Sequence, residues 1–399
     1  MRRVGILCVV AGIFASDLAG CSATLDDAAL FVQSSEYRQD TLRESLVDPN
    51  NGYSELRLEN YEAWSELPEW NPVARPLLEE DIGAFIRDEN RVTVDGPRFF
   101  QRDTFEPSHE AWMALGRRAF EDYPMGVDAR LGAATHYADT AASIGLWVDE
   151  RGRLGGVARV QLTDEREAFA PTCATCHGRV EGGVLLHGAA NVHYDYSAIG
   201  SGGSLVETRW GPGRVDVTSD DSDNPVAISD LRPIHLHRRL HRAASVRNSL
   251  PALAVRIETL LITSYDGRLR PPREVAYALA YYLWHLTGEP TPDETLPGAA
   301  IFEERCAECH GNGSPRTEAV DLDEVGTDPR VGESSARGTG QYRVPSLYRV
   351  LERPALLNRG EQITVRELLS RDSSELGHRY GRGLSDDEKD AIITYLGSW

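Results

Sequence analysis

Two runs in this chain have residue types and spacing that can do chemistry: Cys173-Ala174-Thr175-Cys176-His177 and Cys306-Ala307-Glu308-Cys309-His310, each followed by glycine. Two thiols one helical turn apart can each bond a vinyl group of a porphyrin while the adjacent imidazole reaches the iron. The pattern therefore reads as covalent attachment of haem c at two places. Other uses of Cys-x-x-Cys make demands that this sequence does not meet. A zinc ribbon wants its second cysteine pair about 15–20 residues from the first, and these pairs lie in different halves of the chain. A thioredoxin-type pair belongs in a strand-helix-strand pattern and has no use for a histidine after the second cysteine.

The remaining cysteines are consistent with this reading. The chain has six, and the other two lie at its start. Arg2 and Arg3 precede an apolar run, Val4 to Phe14, too short to span a bilayer but of the length of a secretory signal. The run leads to Leu18-Ala19-Gly20-Cys21, which resembles the lipobox of bacterial lipoproteins, in which the cysteine is acylated and becomes the new N-terminus. The expectation is a signal peptide over 1–20, lipidation at Cys21, and an exported protein anchored to a membrane on the periplasmic side. Cys8 then leaves with the signal and the four motif cysteines take haem. No disulfide is needed, although spare thiols in an exported protein are usually paired.

His177 and His310 are the expected proximal iron ligands. On the distal side the sequence is restrictive, because its three methionines are Met1, Met113 and Met125. A His/Met haem built from the second half alone is thereby excluded. The one histidine after His310 is His378, in Gly377-His378-Arg379-Tyr380-Gly381, so His310/His378 ligation is expected for the second haem, with a lower potential than methionine would give. Laying the helix that closes the first half on the last helix of the chain puts Tyr282-Leu283 on Tyr395-Leu396 and Tyr265 on His378. The sixth position of the first haem is thus left to Tyr265, to one of His235, His237 and His241, or to no side chain. An open iron suits small-molecule chemistry and a six-coordinate one suits electron transfer.

The elements that must position these residues follow from pattern. Leu115-Gly116-Arg117-Arg118-Ala119-Phe120-Glu121 matches Pro297-Gly298-Ala299-Ala300-Ile301-Phe302-Glu303 in spacing, an internal repeat whose glycine allows another helix to cross closely. In the first copy the cysteines arrive late, so roughly 124–164 reads as an insertion holding His136 and Trp147. A Gly- and Asp-rich passage over 178–230, with His187, His193 and Trp210, reads as a long loop able to fold over a haem edge. Pro271-Pro272 starts a helix with Val275, Leu279, Leu283 and Leu286 on one stripe. Ser385 and Glu388 make a capping box for the last helix, whose inner face is Ala391, Ile392, Tyr395 and Leu396. Ahead of the repeat, 34–46 suggests a helix, Leu67 to Pro72 suggests irregular structure, and Trp64 and Trp70 are expected to face a core.

These features predict a mainly α protein: a tether and irregular extension over 21–107, a first cytochrome c-like haem domain with insertions over 108–288, and a second over 296–399. With 399 residues, 41% hydrophobic and 26% charged, the chain is of ordinary globular composition. Its formal charge of −20 argues against a nucleic-acid surface.

Two haem motifs, Tyr342-Arg343-Val344-Pro345-Ser346-Leu347 after the second, and Leu384-Ser385-Asp386-Asp387-Glu388-Lys389 opening the last helix together resemble the bacterial dihaem cytochrome c peroxidase-like superfamily. The Gly-His-x-x-Gly element at Gly377 is similar to its rubber-oxygenase-like branch. The resemblance runs from about Leu115 to Trp399. It implies that His310 with His378 forms an electron-transfer centre served by a redox partner protein, and that His177 holds a haem where peroxide or oxygen reacts. Arg353-Pro354-Ala355-Leu356-Leu357-Asn358 replaces the family's Pro-Tyr-Phe-His-Asp-Gly-like element, and Thr364 to Leu369 lacks its distal methionine. The expectation is an electron-transferring dihaem cytochrome, with a peroxidase or oxygenase acting at an open first haem as the alternative.

Overall fold

The computed structural model describes residues 27–82, 94–127, 131, 135, 138–164, 166–200, 210–216, 225–353, 355–372 and 377–399. The signal run, Cys8, Cys21 and His136 lie outside them. Among the described residues no helix is long and apolar enough to cross a membrane.

The described part of the segment expected to be an irregular extension, 27–82 and 94–107, forms helices and a strand that pack with the rest of the chain. Helix α1, Ser35–Ser45, starts where Ser34 Oγ accepts the Tyr37 amide at 3.0 Å, and α2, Gly52–Ser65, starts where Asn51 caps Ser54 in the same way. Trp64 and Trp70 are buried, as expected, in one apolar cluster with α3, His109–Asp122. Tyr61 donates to Glu258 at 2.5 Å and Arg57 donates to Thr259 at 3.1 Å, fixing α2 against a later helix of the same core. Strand β1, Ala74–Leu78, pairs antiparallel with β2, Arg153–Gln161, and β2 pairs with β3, Glu167–Pro171, in register from Val157↔Pro171 to Gln161↔Glu167. The insertion and the extension thus make one sheet, β1-β2-β3.

With that sheet and four two-stranded ribbons, the described residues form a mixed α/β structure and not a mainly α one. The expectation rested on helical periodicity, which short paired strands among glycines and arginines do not display.

The internal repeat is visible as two equivalent helix crossings. In the first, α3 crosses α6, Arg273–Trp284. A methyl group on Gly116 would lie 2.0 Å from the Ala278 carbonyl oxygen and 2.5 Å from Tyr282 Cβ. In the second, α7, Pro297–Arg305, crosses the last helix, α9, Asp386–Leu396. Here a methyl on Gly298 would lie 2.1 Å from the Ala391 oxygen and 2.9 Å from Tyr395 Cβ. Phe120 lies 6.1 Å from Tyr282, and Phe302 lies 5.4 Å from Tyr395, ring centre to ring centre. Helix α9 begins at the Ser385/Glu388 capping box. Helix α5, Leu250–Ser264, and α6 complete the main core, while α7 and α9 hold a smaller one.

Candidate functional site

The first motif is a short helix, α4, Cys173–His177, aimed by the sheet behind it. Thr172 and Thr175 close a capping box, and both hydroxyls donate to the Gly156 carbonyl at 2.7 Å. Gly156 has φ +64°, and a side chain there would strike the Ala174–Thr175 backbone, so β2 reaches α4 only through glycine. Trp147 donates to the Ala174 carbonyl at 3.2 Å, and the Asn191 side-chain amide to that of Thr175 at 3.1 Å. The second motif, with α8 over Ala307–His310, has no side-chain cap and turns out through Gly311 at φ +56°.

Both motif histidines have a carbonyl oxygen against Nδ1: Ser229 O at 2.8 Å for His177, and Pro345 O at 2.9 Å for His310. A carbonyl can only accept, so each Nδ1 carries the proton and each Nε2 offers a lone pair. Burial pushes both imidazoles down to about 4, which keeps them neutral and ready to ligate. The thiols are displaced the other way, with burial holding Cys173 and Cys176 up at about 12 and Cys306 at about 11. A dithiol redox centre works through a thiolate, and these environments oppose one. All four are free cysteines. Among the described residues no three or more His, Cys, Asp or Glu side chains gather as a metal-ion cluster, so the pairs lack the further donors of a structural zinc.

Around the second motif the chain encloses a cavity of about 300 Å³, within the usual range for a cofactor site. Cys306, Cys309 and His310 line it together with His378. The His310 and His378 rings are 6.1 Å apart, centre to centre, with 31° between their planes. Two imidazoles bound to one metal at roughly 2.0–2.1 Å, with about 1.1 Å from each nitrogen to its ring centre, have centres about 6.3 Å apart. His378 Nδ1 faces the Tyr380 carbonyl at 3.2 Å, which leaves its Nε2 available as well. Apolar residues of the smaller core, Leu356, Ile392 and Leu396 among them, form further wall. Comparison with family models and with curated proteins finds no match for the chain.

The first motif is differently furnished. Tyr265, which takes the place of His378 in the repeat, donates its hydroxyl to the Pro124 carbonyl at 2.5 Å and packs edge-on against Trp70. His241 has both nitrogens engaged, Nε2 accepting from Arg256 at 2.9 Å and Nδ1 meeting Ser245 Oγ at 2.7 Å. His235 packs on Trp284, and His237 takes a bond from Arg343 at 2.9 Å. None of these four has a recorded ring contact or hydrogen bond with His177. Met125, which sequence reasoning did not select, has its sulfur 3.6 Å from Cys173 Sγ. Trp210 stacks on Tyr196, ring centres 6.3 Å apart. Ser229, Pro345 and Asn191 were also missed. Their roles come from backbone carbonyls or long-range contacts; Pro345 lies inside Arg-Val-Pro-Ser-Leu, and Asn191 and Ser229 lie in the 178–230 passage, so the sequence marked the segments but not the residues.

Proposed function

We propose that the protein is an exported dihaem c-type cytochrome, a lipoprotein carried on Cys21, that transfers electrons with a partner protein. Cys173 and Cys176 would hold the first haem and Cys306 and Cys309 the second, with His177 and His310 as proximal ligands and His378 opposite His310. The observation that carries this reading is the His310/His378 pair, set at the separation of two rings on one metal in a cavity whose wall includes both cysteines of the motif. When bound, such a haem supplies reversible one-electron chemistry at a potential set by its axial ligands and burial. The protein's part is to keep His177, His310 and His378 neutral, fix their tautomers through the Ser229, Pro345 and Tyr380 carbonyls in turn, and exclude water with the smaller core's apolar wall. We read the tandem modules as cytochrome c-like and place the chain with the dihaem cytochrome c peroxidase-like superfamily, on the repeat and on the Arg-Val-Pro-Ser-Leu element.

Mass spectrometry of protein made with a complete maturation system should show two porphyrin additions that survive acid extraction. Their absence would sink the proposal. A second reading, an oxidoreductase acting at the first haem, is favoured by the engagement of Tyr265 and His241 elsewhere. It requires a ferric EPR spectrum in which about half the iron is high-spin and responds to cyanide. A wholly low-spin protein indifferent to cyanide would leave electron transfer alone.

A further inference from the structure

Where the two halves of the chain meet, the wall of the cavity is cationic. His237 and Arg242 come from the first half and Arg343 and Arg353 from the second, and all four line the cavity that Cys306, Cys309 and His310 share. The Arg343 amide also donates to the Arg242 carbonyl at 2.9 Å, so the two halves are joined at this point.

These groups have donors to spare. Arg242 spends Nη1 and Nη2 on the carbonyls of Leu357, at 2.8 Å, and Ala227, at 3.2 Å. Arg353 gives Nη1 to Ser346 O at 2.9 Å and Nη2 to Tyr348 O. The Nε of each is buried with no acceptor. Arg343 donates Nη1 to His237 Nδ1, and since a guanidinium can only donate, His237 must be protonated on Nε2. That Nε2–H is also buried without an acceptor, on a residue only 5% exposed. Among the described residues no carboxylate hydrogen-bonds to any of the three guanidiniums. Asp230, which lines the same cavity, is committed to Arg232 at 2.6 Å. Asp230 and Glu352 offset the Arg353 charge through space, but no carboxylate among the described residues does so for Arg242 or Arg343, and burial with repulsion from Arg242 and Arg353 pulls Arg343 down to about 9.

We infer that Arg242, Arg343, Arg353 and His237 form a carboxylate seat that takes the two propionates of the second haem and ties the halves of the chain together through them. The inference rests on the proposed dihaem reading. It adds the chemistry of the other end of the ligand: two anionic carboxylates, met between them by charge-assisted guanidinium donors and by the single neutral N–H of His237. It also makes haem insertion the event that neutralises the junction between the two halves.

The test reads the propionates and the second haem's midpoint potential, with haem stoichiometry measured by mass. Arg343→Gln should still carry two haems but show a lower second-haem potential and shifted carbon-13-labelled propionate bands in infrared difference spectra. Arg343→Lys should recover part of the shift. His237→Leu should move the same bands, and His237→Gln, which keeps an N–H donor, should restore them. Should these variants not accumulate, the wild type decides. Seated propionates stay ionised to a pH below the ordinary carboxylate range, whereas propionates titrating like free carboxylates overturn the inference. Two-haem variants with wild-type bands and potential overturn it too. A wild-type mass without porphyrin would instead remove the dihaem reading beneath it.

Discussion

The two motif helices carry the same chemistry and are held in opposite ways. α4 is braced from behind by a capping box, by the Gly156 carbonyl and by Trp147 and Asn191, all within the first half of the chain. α8 has no side-chain cap; the Arg316 and Thr317 amides hold the Cys309 carbonyl at 2.9 and 3.2 Å, and Cys306, Cys309 and His310 line a cavity that Arg242, Arg343 and Arg353 also line. The first helix is backed by a sheet strand and the second borders a cavity. Stability at the second motif should therefore depend on what fills the cavity, since a ligand that binds only the folded state stabilises it.

The largest consequence is asymmetric. Replacing Cys306 and Cys309 with alanine should remove one haem from the mass and leave residues 296–399 open to limited proteolysis. Replacing Cys173 and Cys176 should remove one haem and leave the first half as resistant as before. Equal protease sensitivity in the two variants would erase the distinction. Next in size is His378→Ala, which should turn one of two haems from low-spin to high-spin in the ferric EPR spectrum. Tyr265→Phe, at the matching place in the repeat, should leave both spin states alone, because that hydroxyl is given to Pro124, and should cost about 1–3 kcal/mol in a denaturant titration for the orphaned carbonyl. A spin change in Tyr265→Phe would place the tyrosine on the iron.

How much of this the sequence disclosed follows from how local each feature is. The motif helices, the last helix with its capping box and a repeated glycine that lets another helix cross closely are local or repeated signals, and all are present. His378 could be picked out as the candidate opposite His310 because no other histidine follows it, and the fold sets the two rings 6.1 Å apart. The sheet was not, since β1 and β2 are far apart in sequence and their pairing leaves no mark in either strand alone. The extension was expected to be irregular because it carries no haem motif and its contacts with α5, Tyr61 to Glu258 and Arg57 to Thr259, are polar and distant in sequence. The carboxylate seat was hidden for another reason: four basic residues scattered over 237–353 look like surface charge until the fold turns them inward.

The helix crossings allow a quantitative comparison of the halves. Alanine at Gly116 and at Gly298 meets backbone at 2.0 and 2.1 Å, and backbone cannot swing away as a side-chain tip would. Each substitution should cost at least about 1–3 kcal/mol by overpacking, read as a lower unfolding midpoint. Gly298→Ala should also perturb the second haem's spectrum, because α9 lines its cavity through Ile392 and Leu396. If Gly116→Ala were neutral, the first crossing would be looser than the second.

The last contrast comes from a carboxyl that the repeat places at equivalent positions and the fold treats differently. Asp122, which ends α3, is pushed up to about 6 by burial and then by neighbouring Glu121, and its Oδ1 has no hydrogen-bond partner. Its counterpart at the end of α7, Glu304, is largely exposed beside Arg305. A carboxyl with a raised folded-state value favours the fold in its protonated form. Below its ordinary value of 3.8 both folded and unfolded chains hold the proton and nothing is lost. As pH rises from there through about 6 the unfolded chain ionises first, and stability falls by on the order of 3 kcal/mol before levelling off. Asp122→Asn removes that slope and should make the protein more stable at pH 7 than the wild type by a similar amount. Urea unfolding at pH 4, 5, 6 and 7 measures the slope, and an undiminished slope in Asp122→Asn would assign the pH dependence to another group.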